Sequence, residues 1–251
     1  MKKNNKILLI GGSGDLGSAI IKSELFENLY SPVKKKFNLT SIKSIRKVLN
    51  IHKFNLVINC AAMARILDCE RNPTKAINVN IGGTLNLVKE ILRYEINHKR
   101  KIKLIHISSD GVYPSLKGNY FETGPLGPYN IYGWTKLASE FVVKLMNRHV
   151  IIRTRFFDKK KIKFRKSAKD IFTSNIEIND LVKAIKTISL KNFTGVINVG
   201  SKRHSDYVAY KKFNNNLKPC RRKDIIKNLN VNLAKDSSMN LSLFNKVKKN
   251  I

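Results

Sequence analysis

The sequence predicts an α/β protein built on a doubly wound parallel sheet. Three observations indicate this fold: short apolar runs typical of strands buried on both faces, amphipathic helical stretches between them, and a glycine-rich turn directly after the first run. Because strands and helices alternate, the crossovers should be right-handed and the sheet parallel. We expect this domain to span residues 1–155. A small, shortened and basic C-terminal cap, partly interleaved with the first domain, is expected over residues 156–251.

The first sixty residues predict a strand, a turn and two helices. Residues 7–10 form the first apolar strand, and four apolar residues after the glycine turn recur near a helical period: Ala19, Ile20, Leu25 and Phe26. Pro32 and a run of three lysines interrupt this pattern, so a second strand there should be short or absent. A helix is expected over residues 38–50, with Thr40 or Ser41 as its N-cap.

The rest of the chain continues the alternation. Further strands are expected at residues 56–60, 103–107, 150–153 and 195–199. Helices are expected from Pro73 to about residue 96, over 129–146 and 179–189, and near 207–213 and 222–228. Residues 111–128 are rich in glycine and proline and are expected to form a loop.

The charge of the chain bears on its partners. The chain holds 251 residues, with 49 Lys and Arg against 17 Asp and Glu, which gives a net charge of +32. Such a charge attracts anionic cofactors and substrates over long range, and it also attracts nucleic acid and anionic membrane surfaces. The basic residues are spread over nearly every segment, and the sequence contains no nucleic-acid recognition motif. We therefore expect a small-molecule ligand and no specific nucleic acid.

The lengths of the apolar runs and the pattern of the cysteines indicate where in the cell the protein is located. No apolar run approaches the roughly 20 residues of a membrane span, and the run at residues 7–10 is too short for the core of a signal peptide. Cys60, Cys69 and Cys220 have no metal-ligand spacing and cannot all pair with one another. We therefore expect a cytoplasmic protein with no membrane span and no metal site.

The glycine turn is the first functional motif. Gly11, Gly14 and Gly17 have the spacing G-x-x-G-x-x-G between a strand and a helix. Glycines in such a turn let the backbone approach a pyrophosphate, whose charge is stabilised at the helix N-terminus. A plain connector is the alternative, but the place of the turn after the first buried strand favours a dinucleotide site. Residues 1–155 are therefore predicted to be a Rossmann-type NAD(P)-binding domain.

Ser109, Tyr132 and Lys136 form the second motif. Ser109 follows a buried strand, so its hydroxyl should lie at the carboxyl edge of the sheet, where ligands bind in open α/β folds. Tyr132 and Lys136 are four residues apart and share one helix face. A phenol can protonate a carbonyl oxygen, a nearby ammonium lowers the phenol pKa from about 10, and a serine hydroxyl can stabilise the alkoxide. The three together predict a carbonyl reductase site.

In this order along the chain, the motifs resemble the extended short-chain dehydrogenase/reductases, and within them the dTDP-4-dehydrorhamnose reductase branch. The resemblance covers about the first 155 residues, and the matching stretches are the glycine turn, 59–62, 70–73, 76–80, 108–110, 132–140 and 153–154, with a weaker match at 176–181. It implies that Tyr132 donates a proton, that Lys136 binds the nicotinamide ribose and tunes Tyr132, and that Ser109 orients the carbonyl.

The resemblance also implies a set of cofactor contacts. Tyr132 and Lys136 would touch the cofactor from the catalytic side. The pyrophosphate would contact Gly11, Ser13, Gly14, Asp15, Leu16 and Gly17, the adenine Asn38 and Leu39, and the central riboses Ala61, Ala62 and Met63. Asn80 matches a family asparagine near the active site, and a buried asparagine that kinks the helix is an equal alternative.

Basic residues bear on the choice of cofactor and substrate. The family usually has an acid at the Asn38 position, whereas this chain has lysines at 34–36 that could neutralise a 2′-phosphate. We therefore expect a weak preference for NADPH; NADH stays open, as does a merely basic surface. Three arginines could clamp a diphosphate, with a solvated surface charge as the more common role of each one: Arg153, Arg155 and Arg165. Phe156 stands where related enzymes place an aromatic residue against the substrate.

The function that the resemblance implies is NAD(P)H-dependent reduction of a keto-sugar. The substrate would be a nucleotide-linked 4-keto-deoxysugar used to make a surface polysaccharide or an activated sugar. Three alternatives stay open: an epimerase of the same fold, a non-catalytic subunit that binds the cofactor and regulates a partner, and, ranked last, association with nucleic acid through the positive charge. The resemblance also allows a homodimer.

Overall fold

The protein is described from a computed structural model, which covers residues 6–229 and 232–249. In chain order the strands are β1 (Lys6–Ile10), β2 (Leu29–Tyr30), β3 (Phe54–Asn59), β4 (Lys103–Ile107), β5 (His149–Arg153), β6 (Phe156–Phe157), β7 (Lys166–Ala168), β8 (Phe172–Thr173), β9 (Ile176–Glu177), β10 (Gly195–Asn198), β11 (His204–Ser205) and β12 (Lys218–Cys220). Six of them form one parallel sheet in the order β10-β5-β4-β3-β1-β2. The predicted doubly wound α/β fold is confirmed.

Helices cover both faces of this sheet. They are α1 (Asp15–Lys22), α2 (Ile42–Ile51), α3 (Ile66–Arg71), α4 (Pro73–Ala76), α5 (Gly83–His98), α6 (Ile131–Val143), α7 (Ile178–Leu190), α8 (Asp206–Lys211), α9 (Arg222–Leu229) and α10 (Ser242–Lys249). A π-helical segment, Ile77–Gly82, joins α4 to α5. On one face, α1, α7 and α10 pack against the sheet around Ile20 and Ile185. On the other, α2, α5 and α6 pack around Ile45 and Ile91.

Several element boundaries differ from the prediction. Helix α1 ends at Lys22, because Glu24 adopts a left-handed conformation (φ 54°) and the chain then turns Phe26 into the core. Helix α2 begins only at Ile42, after Ser41, whose hydroxyl accepts a hydrogen bond from the Ser44 N–H at 3.4 Å and caps the helix. The second strand is two residues long, as expected. Helices α3 and α10 were not predicted.

The second part of the chain returns to the central sheet through α7 and β10. Its other strands form two-stranded pairs, parallel for β6 with β9 and for β7 with β12, and antiparallel for β8 with β11. The division between residues 155 and 156 stays a prediction. Within residues 6–229 and 232–249, no helix combines the length and the apolar character that crossing a bilayer requires.

Candidate active site

The glycine turn lies at the point where the order of the strands in the sheet reverses. From β1 the chain runs to β2 on one side, and β3 then lies on the other side, which opens a crevice at the carboxyl ends of β1 and β3. Gly11 has φ +87°, and a Cβ atom there would stand 2.7 Å from the Ala61 nitrogen. A Cβ on Gly17 would collide with the Gly11 carbonyl. Only glycine lets the turn pack this closely against Ala61 and against itself. No side chain of Gly11 or Gly17 then stands in the way of a ligand in the crevice.

The N-terminus of α1 points into this crevice without a side-chain cap. Gly14 is the N-cap residue and contributes no side-chain hydrogen bond, so the N–H groups of the first turn lack a side-chain acceptor. A phosphate group is the natural ligand for such an N-terminus. The exposed Asp15 carboxylate, in the first turn, pairs with Lys161. The turn and the helix start therefore fit the pyrophosphate of a dinucleotide.

Two cavities meet at this turn. The first has a volume of about 630 Å³ and is lined by residues that include Gly11, Ser13, Gly14, Asn38, Leu39, Ala61 and Ala62. Lys34 also lines it, together with Ser31. The neighbouring Lys35 and Lys36 have exposed side chains. The adenine side of the predicted site is thus one continuous cavity, and it carries a lysine at its rim.

The second cavity holds the predicted catalytic residues. It has a volume of about 560 Å³ and is lined by Ser109, Tyr132 and Lys136, with Asp15, Leu16 and Gly17 from the glycine turn. Gly14, Cys60 and Ala62 line both cavities, which therefore share one wall. A long ligand held across the turn would reach from the first cavity to the three catalytic candidates in the second.

Ser109 and Tyr132 are in contact. Ser109 lies two residues after the end of β4, and its hydroxyl accepts a hydrogen bond from the Gly111 N–H at 3.0 Å. Burial raises the pKa of Tyr132, and a hydrogen bond with the Ser109 side chain opposes that rise. Burial thus sets the pKa of Tyr132 above its usual value of about 10, and the tuning of this phenol by Lys136 stays a prediction. Tyr132 holds its proton at neutral pH, as a proton donor must.

Lys136 lines the second cavity and is almost fully buried. Burial lowers its pKa to about 8, while Glu140 and Cys60 act in the opposite direction. Its Nζ lies 3.2 Å from Nε2 of His106. The amine therefore titrates close to physiological pH, far below the usual range of lysine.

Met63 differs from the other predicted cofactor contacts. It lines neither of the two cavities formed by the described residues, and its backbone is instead held by Asn80. Asn80 is buried in the π-helical segment, and its amide also donates to Thr135 Oγ1 at 2.9 Å. Asn80 thus connects the loop after β3 to α6, and its contacts are with protein groups.

The three arginines are separated by the fold. Arg153 is 1% exposed and forms a buried ion pair with Glu140 at 2.7 Å, so it cannot reach a ligand. Arg165 is exposed on the surface of the cap. Arg155 lines the second cavity together with Phe156, and its Nη2 lies 3.0 Å from Asp206 Oδ2. The three-arginine clamp is therefore wrong, and Arg155 is the member that faces the cavity.

Sequence reasoning missed several residues of the second cavity. Asp110 is buried there; its carboxylate accepts a hydrogen bond from Ser237 Oγ at 2.6 Å, and burial raises its pKa. Its position directly after Ser109 at a strand end was an available signal. The cap closes the cavity with residues that no local motif marks: Ile171, Asp206, Ile225, Leu233 and Ala234. In the described part of the chain, no group of three or more His, Cys, Asp and Glu side chains is placed to hold a metal ion.

Comparison with known proteins identifies the family. The RmlD substrate binding domain family matches residues 5–183, which is most of the chain. The chain belongs to this family. The resemblance drawn from the glycine turn and the Ser109, Tyr132 and Lys136 motifs is confirmed at this level.

Two known sequences and one solved structure are similar to this chain. The chain is 31% identical over 154 residues to a dTDP-4-keto-6-deoxy-D-glucose reductase of Streptomyces niveus, covering 59% of this chain and 51% of the relative. It is 28% identical over 149 residues to methionine adenosyltransferase 2 subunit beta of Rattus norvegicus, covering 56% of this chain and 43% of the relative. These matches span about half the length of the relatives or less. The fold resembles the crystal structure of dTDP-4-dehydrorhamnose reductase from Bacillus anthracis str. Ames in complex with NADP, with a TM-score of 0.83, 21% identity, and coverage of 98% of this chain and 92% of that chain.

Proposed function

We propose that this RmlD substrate binding domain protein is an NAD(P)H-dependent reductase of a nucleotide-linked 4-keto-deoxysugar. The observation that carries the proposal is the convergence of Ser109, Tyr132 and Lys136 on one cavity that shares a wall with the dinucleotide crevice. Proteins with such reductase names among the relatives support the same class of substrate. A cytoplasmic location agrees with three cysteines that are all free thiols.

The residues present suit the reduction of a carbonyl. A bound dihydronicotinamide would supply a hydride to the carbonyl carbon. Tyr132 gives the proton of its hydroxyl to the carbonyl oxygen, and its raised pKa keeps that proton available at neutral pH. Ser109 orients the same oxygen by a hydrogen bond and stabilises its developing charge. Lys136 binds the nicotinamide ribose beside them and favours the phenolate that Tyr132 becomes.

We propose a preference for NADPH over NADH. Lys34 lines the adenine-side cavity near Asn38, where its ammonium can pair with a 2′-phosphate. No acidic side chain lines this cavity among the described residues, so nothing there disfavours that phosphate or requires a free 2′-hydroxyl. The preference is weak, because a single exposed lysine supplies it.

The diphosphate of the substrate is assigned to Arg155. This arginine lines the catalytic cavity, and its side chain is 33% exposed, so a ligand can reach it. Phe156 beside it offers an apolar surface for the sugar. The pairing with Asp206 holds the guanidinium in place beside the cavity.

A homodimer would cover an apolar face on α6. Trp134 and Phe141 are seven residues apart, share one side of α6, and are 56% and 57% exposed. Leu85 and Ile96 are exposed on the neighbouring α5. Light scattering should give twice the monomer mass, and Trp134→Glu should return it to the monomer; a monomeric wild type would contradict the dimer.

A regulatory subunit is the second candidate. It is favoured by the relative from Rattus norvegicus, whose name is that of a subunit and not of a reductase. The two candidates differ in turnover, since a subunit that only binds the cofactor would consume no NADPH. An epimerase, the other alternative, would also show no net consumption of NADPH.

The proposed reductase is tested by adding NADPH and a panel of dTDP-4-keto-6-deoxysugars to the purified protein. Oxidation of NADPH with formation of the reduced sugar is expected. Tyr132→Phe should lower turnover by about 10²–10⁴-fold and leave NADPH binding intact. Tyr94→Phe is the matched control, because Tyr94 packs in the core on α5, away from both cavities. Unchanged turnover in Tyr132→Phe, or none in the wild type, would refute the proposal.

A further inference from the structure

His106 is a buried histidine that the proposed chemistry does not use. It lies in the middle of β4 with no exposed surface, and both ring nitrogens have polar neighbours. Nδ1 is 3.2 Å from the Asn59 side-chain nitrogen. Nε2 is 3.1 Å from Ser139 Oγ and 3.2 Å from Lys136 Nζ. The ring therefore stands between β3 and the catalytic helix α6.

The neighbours of Asn59 decide which ring nitrogen of His106 carries the proton. The Asn59 side-chain oxygen accepts a hydrogen bond from the Ala61 N–H at 3.2 Å, which fixes the orientation of the amide. The Asn59 NH₂ group must then donate to Nδ1, so Nδ1 is without a proton. Burial, and after it Lys136, lowers the pKa of His106 well below its ordinary value, so the ring is neutral. The single ring proton consequently lies on Nε2.

This tautomer turns an N–H toward the Lys136 amine. Ser139 Oγ already donates its proton to the Lys136 carbonyl at 2.7 Å, so the hydroxyl can only accept from Nε2. A lysine ammonium at 3.2 Å from Nε2 would face another donor and find no acceptor there. A neutral amine, by contrast, has a lone pair that can share the Nε2 proton.

We propose that His106 is a positioning residue that acts through Lys136: its ring, oriented by Asn59, presents an N–H to the lysine amine and destabilises the ammonium form. The other groups that face this amine are Glu140 on α6 and Cys60 after β3. Glu140 favours the ammonium, and Cys60 acts in the same direction, so the N–H of His106 adds to burial in disfavouring the ammonium and opposes these two groups. The tautomer concerns the ligand-free protein, and its consequence for turnover rests on the proposed reductase function.

The tautomer can be measured without cofactor or substrate. Nitrogen NMR of the protein labelled with ¹⁵N-histidine distinguishes protonated from bare ring nitrogens, and His106→Gln identifies the signals. We expect a proton on Nε2 and none on Nδ1 at neutral pH. A proton on Nδ1, or one on both nitrogens, would overturn the proposal.

The effect on Lys136 is tested by reversing the tautomer. In Asn59→Asp a carboxylate oxygen still accepts from the Ala61 N–H, while the other oxygen requires a proton on Nδ1 and so makes Nε2 an acceptor for the ammonium. The pKa of Lys136, followed by NMR of ¹³C-labelled lysine and assigned with Lys136→Arg, should rise by about one unit or more.

The new carboxylate also raises the pKa of Lys136 by its charge alone, and a control measures this part of the rise separately. Asn59→Asp is placed in the His106→Gln background, where no imidazole can change tautomer. The rise in the Lys136 pKa should be clearly smaller there; an equal rise in both backgrounds would refute a role for His106. These readouts need no turnover. An inactive protein that shows them would overturn the reductase proposal alone, and an active one that lacks them would overturn this inference alone.

Discussion

Asn80 holds Met63 by both of its backbone polar groups. The Asn80 side-chain oxygen accepts from the Met63 N–H at 2.8 Å, and its nitrogen donates to the Met63 carbonyl at 3.1 Å. The same nitrogen donates to Thr135 Oγ1, one residue before Lys136. One buried amide therefore connects the loop that follows Ala61 and Ala62 to the helix that carries the catalytic candidates. The π-helical segment places Asn80 at this junction.

Asn80→Ala should destabilise the protein and weaken cofactor binding. The change leaves the Met63 N–H without an acceptor and removes one of the hydrogen bonds of the Met63 carbonyl and of Thr135 Oγ1, which costs about 1–3 kcal/mol of the free energy of unfolding. Urea denaturation measures this loss, and fluorescence titration with NADPH measures the affinity. Asn78→Ala is the control, because Asn78 is exposed in the same segment. Equal effects of the two substitutions would contradict the role given to Asn80.

Lys136 should lower the free energy of unfolding of the protein below pH 8. In the unfolded chain its amine titrates near 10.4, whereas burial lowers its pKa to about 8 in the folded protein. Between these values the unfolded chain binds more protons, so the contribution of Lys136 to the free energy of unfolding rises with pH. Lys136→Met should therefore be more stable than the wild type at pH 7, by about 1–3 kcal/mol, with the gain shrinking toward pH 10.

The measurement for this prediction is urea unfolding of both proteins between pH 6 and pH 10, a range chosen to include both ends of the expected change. Lys144→Met serves as the control, since Lys144 is exposed at the end of α6. This control removes the same type of side chain from the helix surface and leaves the buried amine in place. A pH-independent gain in Lys136→Met would show that the amine is not penalised by burial.

Lys34→Ala should reduce the affinity for NADPH about three- to tenfold and leave the affinity for NADH nearly unchanged. The reason is that an exposed lysine pairing with a 2′-phosphate contributes about 1 kcal/mol and has no partner in NADH. Titration with both cofactors at low salt measures the ratio. Lys35→Ala is matched in charge and exposure, and its ratio should stay that of the wild type. Tighter binding of NADH than NADPH by the wild type would refute the preference itself.

The sequence was sufficient for features that depend on local spacing. The glycine turn, the buried strands and the positions of Ser109, Tyr132 and Lys136 follow from residues close together in the chain, and the structure brings all of them to the same edge of the sheet. The environment of Lys136 did not follow, because His106 reaches it from β4 and Cys60 from the segment after β3.

Long-range contacts also explain the errors. Arg153 looked like a ligand-binding residue, but Glu140 lies across from it in the packed core, where only the tertiary fold brings them together. Helix α3 is six residues long, too short for a helical period to stand out. Helix α10, which contains the buried Phe244, has three lysines among its eight residues. The apolar periodicity of this helix was therefore not recognised in the sequence.

Arg155→Ala should raise the KM for the nucleotide sugar about tenfold or more and change kcat much less. Arg155 lines the same cavity as Tyr132, but a guanidinium does not release its proton near neutral pH, so the proposal gives Arg155 a role in substrate binding and none in proton transfer. Steady-state kinetics at saturating NADPH separate the two constants. Arg165→Ala is the control, since it removes an equal charge from the exposed cap surface. An equal rise in KM for both variants, abolished by high salt, would show that the net charge of the protein attracts the substrate and would contradict the role given to Arg155. A rise in KM that is confined to Arg155→Ala and persists at high salt would establish a direct contact.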